Sequence, residues 1–176
     1  MTNSPKKVLL LHGWGGKNEE HWLTWLEDEL LKKDIEVFYP KIPNNYNPKC
    51  QKWVNHIADY VKEFDPTIVI AHSLGALAWW HFYVQSHHQV TRLYSIAPPT
   101  FESFPSKMKS FFPLPEVDFT HQEHTIIYAK DDPNIKIDDL LKIAKDSHTT
   151  LYEKASGGHL DHYTKTFRLD ELLDWI

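Results

Sequence analysis

A single cysteine, Cys50, is all the thiol this 176-residue chain carries, so no intramolecular disulfide can form. Its neighbours Pro48-Lys49 and Gln51-Lys52 predict a partly exposed helix start, and so little cysteine fits a reducing, cytoplasmic setting. Long apolar runs are missing as well. The stretch Val8-Leu9-Leu10-Leu11 behind Lys6-Lys7 is too short for a signal-peptide core, and no run approaches a membrane span, so neither export nor a membrane partner is expected. There is no long basic run: 19 Lys and Arg stand against 24 Asp and Glu, a formal net charge of −5, which argues against a nucleic-acid partner. Repeats, low-complexity tracts and a linker are absent too, so one domain over residues 1–176 is expected. A chain of this length buries roughly 70% of its unfolded surface without disulfides or metals.

What the chain does contain is alternation. Val8 to Leu11 is continuously apolar, as a strand buried on both faces must be, and it runs into the turn His12-Gly13-Trp14-Gly15-Gly16. Residues 19–33 put Trp22, Trp25, Leu26 and Leu30 on one helical face, and residues 35–39 predict a second strand. Pro40, Pro43 and Pro48 mark a loop before a helix over 49–64. A strand at 67–71 leads into a helix that runs to about residue 87. Strands at 90–97 and 124–129, a helix at 137–147, a short strand at 149–152 and a closing helix at 168–176 complete the pattern. Strand and helix in turn imply parallel strands joined by right-handed crossovers. The expected fold class is therefore α/β, a three-layer α/β/α sandwich with about six strands.

In such a sheet, catalytic groups collect just beyond the C-terminal ends of the strands. Beyond the third strand stands Ala71-His72-Ser73-Leu74-Gly75, a serine between small residues where strand gives way to helix, as in a nucleophile elbow. Serine is also a favoured helix N-cap, so the pentapeptide alone fits either role. Its context separates them. Lys130-Asp131-Asp132 follows the fifth strand and Gly157-Gly158-His159 the sixth, giving the order serine, acid, histidine. His159 would accept the Ser73 proton and return it to the leaving group, while an aspartate orients the imidazole and stabilises its cation. Asp132 is the better candidate, because Asp132-Pro133-Asn134-Ile135 resembles hydrolase acid loops, although Lys136 stands where proline is common. Asp131 remains open. Backbone amides of Leu74 and Trp14 are the expected oxyanion donors.

The motifs HGWGG at 12–16, Trp22, Ala71-His72-Ser73-Leu74-Gly75, Asp131-Asp132-Pro133 and Gly157-Gly158-His159-Leu160 together resemble the small serine hydrolases of the retinoblastoma-binding-protein and YdeN-like family. The resemblance spans nearly the whole chain. It implies a minimal α/β-hydrolase fold without the usual first two strands or a large cap domain, and esterase activity on small acyl esters. A human relative is associated with retinoblastoma protein through a Leu-x-Cys-x-Glu segment. Pro48-Lys49-Cys50-Gln51-Lys52 does not match it, so that partner is not implied.

The connection at 98–123 holds Phe101, Phe104, Met108, Phe111, Phe112 and Phe119. It is expected to form a short flap or helix whose aromatics, Phe101 and Phe104 among them, line a shallow acyl site with Trp14; alternatively the rings simply cover the sheet edge. Twelve histidines raise the question of a metal, but His121-Gln122-Glu123-His124 and His159-Leu160-Asp161-His162 lack zincin spacing, so no metal and no cofactor is expected. The expected partner is a small acyl ester. Amides and thioesters pass through the same acyl-enzyme, and a protein-interaction module with little turnover is the rival from another class.

Overall fold

Alternation along the first strand sets up the whole architecture: Val8 and Leu10 pack into one apolar cluster, Leu9 and Leu11 into another, and all four are fully buried. The computed structural model describes residues 6–100 and 106–176. Its strands are β1 (Lys7–Leu11), β2 (Glu36–Phe38), β3 (Ile68–His72), β4 (Arg92–Ile96), β5 (Glu123–Ala129) and β6 (Thr150–Lys154). They form one parallel sheet in the order β2-β1-β3-β4-β5-β6. The helices are α1 (Trp22–Leu31), α2 (Cys50–Phe64), α3 (Leu74–Ser86), α4 (Ile137–Asp146) and α5 (Glu171–Trp175).

Helices cover both faces, which is why the strands read as apolar runs. Trp53, Val54 and Ile57 of α2, the apolar surface of α3 and Leu140 of α4 join Leu9, Leu11 and Val69 on one face. Trp22, Leu26 and Leu30 of α1 and Leu172 of α5 join Val8, Leu10, Ile68 and Ile70 on the other. Central α3 is buried over most of its length, and its sequence is correspondingly apolar on every side. This is the three-layer α/β-hydrolase architecture.

Strand order reverses between β1 and β3, because the chain leaves β1 toward one sheet edge and returns on the other side to build the rest. A crevice opens at such a reversal, beyond the C-terminal ends of the two strands. The HGWGG turn and Ser73 both end up there.

Several sequence expectations change. Helix α1 starts at Trp22 rather than residue 19, because His21 adopts extended backbone and caps the helix with its ring. Cys50 does open α2, but it is buried against the core instead of partly exposed, and burial pushes its thiol up to about 12. A short 3₁₀ helix, Ser106–Phe111, occupies the connection between β4 and β5. Phe111 and Phe119 are fully buried within the α2–α3 core, and Phe112 packs against it, so these rings do not line an acyl site. Apolar rings beside a helix pair lower the free energy more by leaving water than by lining a wet cleft. Phe101 and Phe104 lie outside the described residues. No helix among the described residues is long and apolar enough to cross a membrane.

Candidate active site

Ser73 sits at the junction of β3 and α3 with φ 52° and ψ −122°, backbone that a non-glycine residue holds only under constraint. It occupies the helix-capping position but makes no capping hydrogen bond. Its N–H is held by Ile96 O of β4 at 2.9 Å. Tight packing requires small neighbours. A Cβ on Gly75 would fall 2.6 Å from His12 O and 2.8 Å from Leu11 O, so the first turn of α3 can lie against the end of β1 only with glycine there. A Cβ on Gly13 would stand 2.9 Å from Ser73 Cβ. Thus the two glycines bring the first turn and the elbow together.

The serine hydroxyl donates to His159 Nε2 at 2.8 Å, and His159 Nδ1–H donates to Asp132 Oδ2 at 2.8 Å. A carboxylate on Nδ1 fixes the tautomer that leaves the Nε2 lone pair facing Ser73. Asp132 comes from the loop after β5 and His159 from the loop after β6, so residues 86 and 27 positions from His159 converge on one imidazole. Asp132 is itself buried, and its Oδ1 accepts from Asn134 N–H at 2.8 Å, which orients the carboxylate. The neighbouring Asp131 points elsewhere: its Oδ1 accepts from Gly158 N–H at 2.8 Å, gripping the loop that carries the histidine. Gly157 and Gly158 in that loop have φ of 139° and 54°, conformations that cost glycine little.

Two further bonds hold the same loop, and the sequence reading assigned neither of them. His72 Nε2–H donates to the carbonyl of His159 at 3.0 Å, and Trp22 Nε1–H donates to the carbonyl of Leu160 at 2.7 Å. The residue before the serine therefore ties the elbow to the histidine's backbone. Periodicity assigned Trp22 to the core face of α1, which is correct, but periodicity carries no information about its indole N–H. A buried ring N–H that must find an acceptor was the available clue.

The first turn is fixed by His12, whose Nε2 accepts from Ile42 N–H at 2.8 Å and whose Nδ1–H reaches Gly13 O at 2.7 Å. Burial lowers its pKa to about 4, so the ring is neutral. Burial likewise lowers His21 to about 3 and takes His72 well below the usual histidine range. The amides of Leu74 and Trp14 have no acceptor among the described residues. Leu74 opens a helix of 13 residues, where the dipole favours negative charge.

A cavity of about 350 Å³ opens over Ser73 and His159, lined by the 13–16 turn with Asn18, His21, Tyr46, His72, Met108, Asp161, His162 and Tyr163. Of the connection's apolar residues, Met108 reaches it. Trp14 is half-exposed at its rim, edge-on to Tyr46 with ring centroids 5.4 Å apart. A larger cavity, about 630 Å³, lies elsewhere against Leu114, Val117, Asp139 and Ile143, and no histidine lines it. Ser73 and His159 line the smaller one. No three His, Cys, Asp or Glu side chains among the described residues are grouped so as to hold a metal ion.

Comparison with known proteins bears on the fold and the family. The protein YdeN of Bacillus subtilis (strain 168) is 24% identical over 162 residues, covering 88% of this chain and 85% of its own length. The crystal structure of the B. subtilis ydeN gene product superimposes with a TM-score of 0.79 at 23% identity, covering 97% of this chain and 96% of that one. A YdeN-like hydrolase from Pectobacterium atrosepticum matches with a TM-score of 0.79 at 17% identity, covering 97% and 88%. One structure from work on the metagenome-derived lipolytic enzymes LipS and LipT matches with a TM-score of 0.74 at 12% identity, over 97% of this chain and 90% of that one. The family model described as Serine hydrolase matches residues 8–173, nearly the entire chain, and the protein belongs to that family.

Proposed function

We propose that this serine hydrolase is a carboxylesterase acting on small acyl esters, with Ser73, His159 and Asp132 as its triad. The observation that carries the reading is the unbroken hydrogen-bond relay from Ser73 Oγ through His159 to Asp132, at 2.8 Å in both steps, at the floor of an open cavity. As Ser73 Oγ attacks the ester carbonyl, its proton passes to His159 Nε2 and Asp132 stabilises the imidazolium. The carbonyl oxygen becomes an oxyanion that accepts from the Leu74 and Trp14 N–H groups. Collapse breaks the ester C–O bond, and His159 Nε2–H protonates the departing alkoxide, which leaves as the alcohol. Water then attacks the acyl-enzyme, His159 takes its proton, and the carboxylic acid and free Ser73 are regenerated.

The cavity's modest volume supports small acyl groups, and the structural neighbour described as lipolytic supports ester chemistry. Labelling with a fluorophosphonate, mapping of the modified residue and a screen of nitrophenyl esters by chain length test the reading together. Modification of Ser73 and faster turnover of short acyl chains are expected. Labelling elsewhere overturns the mechanism, and equal or better turnover of long chains overturns the substrate class.

A further inference from the structure

Four imidazoles line the catalytic cavity, and the hydrogen bonds they make, together with the burial of His162 Nδ1, leave one of them with an N–H to offer. His159 is engaged at both nitrogens, by Ser73 and Asp132. His72 spends its Nε2–H on the His159 carbonyl. His162 Nε2 accepts from the Asn18 amide at 3.3 Å, and that amide is oriented by Glu20 N–H on Asn18 Oδ1 at 2.8 Å. The His162 proton is therefore on Nδ1, which is buried away from solvent and has no partner. His21 differs. Its Nδ1 accepts Leu23 N–H at 3.2 Å as the cap of α1, so the neutral ring carries its proton on Nε2. That N–H has no acceptor among the described residues, although the side chain is more than nine-tenths buried.

We propose that His21 Nε2–H is a specificity-determining donor that recognises a neutral oxygen acceptor (an ether, hydroxyl or carbonyl oxygen) on the acyl group of the substrate. The ring is held for this: its centroid is 4.8 Å from that of His72 and 5.3 Å from that of Trp22, and the cap bond fixes its edge. A preorganised buried donor discriminates because a substrate without the acceptor leaves it unpaired. The Asp161 carboxylate in the same lining selects against an anionic acceptor such as a second carboxylate. His21 is buried while Trp14, Tyr46 and Tyr163 of the same lining are exposed, so the proposal puts the acyl group on the buried side and the departing alcohol on the exposed side.

This proposal rests on Ser73 being the nucleophile, and its test separates the two. His21→Asn keeps a side-chain acceptor for Leu23 N–H, so α1 stays capped, and withdraws the donor, because the amide NH2 of the shorter side chain falls short of the position of imidazole Nε2. The substrates are 4-nitrophenyl methoxyacetate and 4-nitrophenyl butyrate, which match in shape and differ by one ether oxygen. The readout is the ratio of their kcat/KM values in wild type and variant, which cancels the intrinsic reactivity of each ester. The ratio is expected to fall by about tenfold in His21→Asn. An unchanged ratio with Ser73 still labelled by fluorophosphonate overturns the His21 proposal alone. Failure to label Ser73 in wild type overturns the reading beneath it. A drop confined to the alcohol-side pair, methoxyethyl butyrate against butyl butyrate, overturns the acyl-side assignment.

Discussion

Two serine–histidine pairs among the described residues stand at nearly the same distance, and they differ in what surrounds them. Ser73 Oγ lies 2.8 Å from His159 Nε2; Ser95 Oγ lies 2.9 Å from His124 Nε2. In the second pair Trp80 Nε1–H donates to Ser95 Oγ at 3.0 Å, which directs the serine's own hydrogen to His124. His124 Nδ1–H in turn meets Thr149 Oγ1 at 2.6 Å, and Thr149 meets Ser147 at 2.6 Å. Ser95 lies within β4 and is fully buried, and burial lowers His124 to about 3. The orienting group is a neutral hydroxyl where His159 has a carboxylate. A buried polar chain of this kind satisfies its own donors and fixes the packing of α3 on the sheet. Position at the strand's end, an anionic partner and an open cavity separate the pair at Ser73 from the pair at Ser95.

Replacing each serine in turn breaks the comparison most sharply. Ser73→Ala is expected to lower ester turnover by about a millionfold if the triad acts as a unit. Ser95→Ala leaves turnover near wild type but strands the Trp80 and His124 nitrogens, lowering stability by about 1–3 kcal/mol in urea titration. A large activity loss at Ser95, or none at Ser73, would erase the distinction.

The orienting group comes next. Asp132→Asn is expected to lower kcat by about 10⁴-fold, because the amide favours the wrong imidazole tautomer. Asp131→Asn, whose oxygen still accepts from Gly158 N–H, should cost less than about tenfold. Equal losses in steady-state assays would mean that the two aspartates share the role.

Acid should act on both regions together. His12, His21, His72 and His124 are buried and neutral, with folded pKa values pushed below the ordinary 6.5. The unfolded chain therefore binds more protons below pH 6.5. Stability is fully present above that pH and falls as pH drops toward 4, by about 1.4 kcal/mol per pH unit for each histidine. Urea midpoints from pH 8 to 5 check this, and a flat curve below pH 6.5 refutes it. A modest effect is expected at the tether: His72→Phe removes the bond to the His159 carbonyl and should lower kcat by about tenfold with KM little changed. A change in KM alone would assign His72 to binding instead.

Much of this arrangement was legible beforehand, for reasons that can be named. Val8 to Leu11 and Ile68 to Ala71 read as strands because sheets covered on both faces need unbroken apolar runs. Ser73, the aspartates at 131–132 and His159 were findable because each follows its own strand in a parallel sheet. The aromatic connection left a lining role and a covering role open, and Phe111 and Phe119 take the covering one in the α2–α3 core, because apolar content alone does not tell core from pocket. Exposure at Cys50 was misjudged from polar neighbours, which point outward from a helix while the cysteine points in.

The sequence by itself determined the parallel α/β layering, the elbow at Ser73 and the residue types that could serve it, because periodicity and turn chemistry are local. Tertiary structure alone decided which aspartate meets His159 Nδ1, which reach of backbone Asp131, His72 and Trp22 hold, and which imidazole keeps a spare N–H for the cavity. Those outcomes depend on ångström-scale convergence of loops far apart in the chain. Identical residue types, as in Ser95 and His124, meet different partners where the surrounding fold differs.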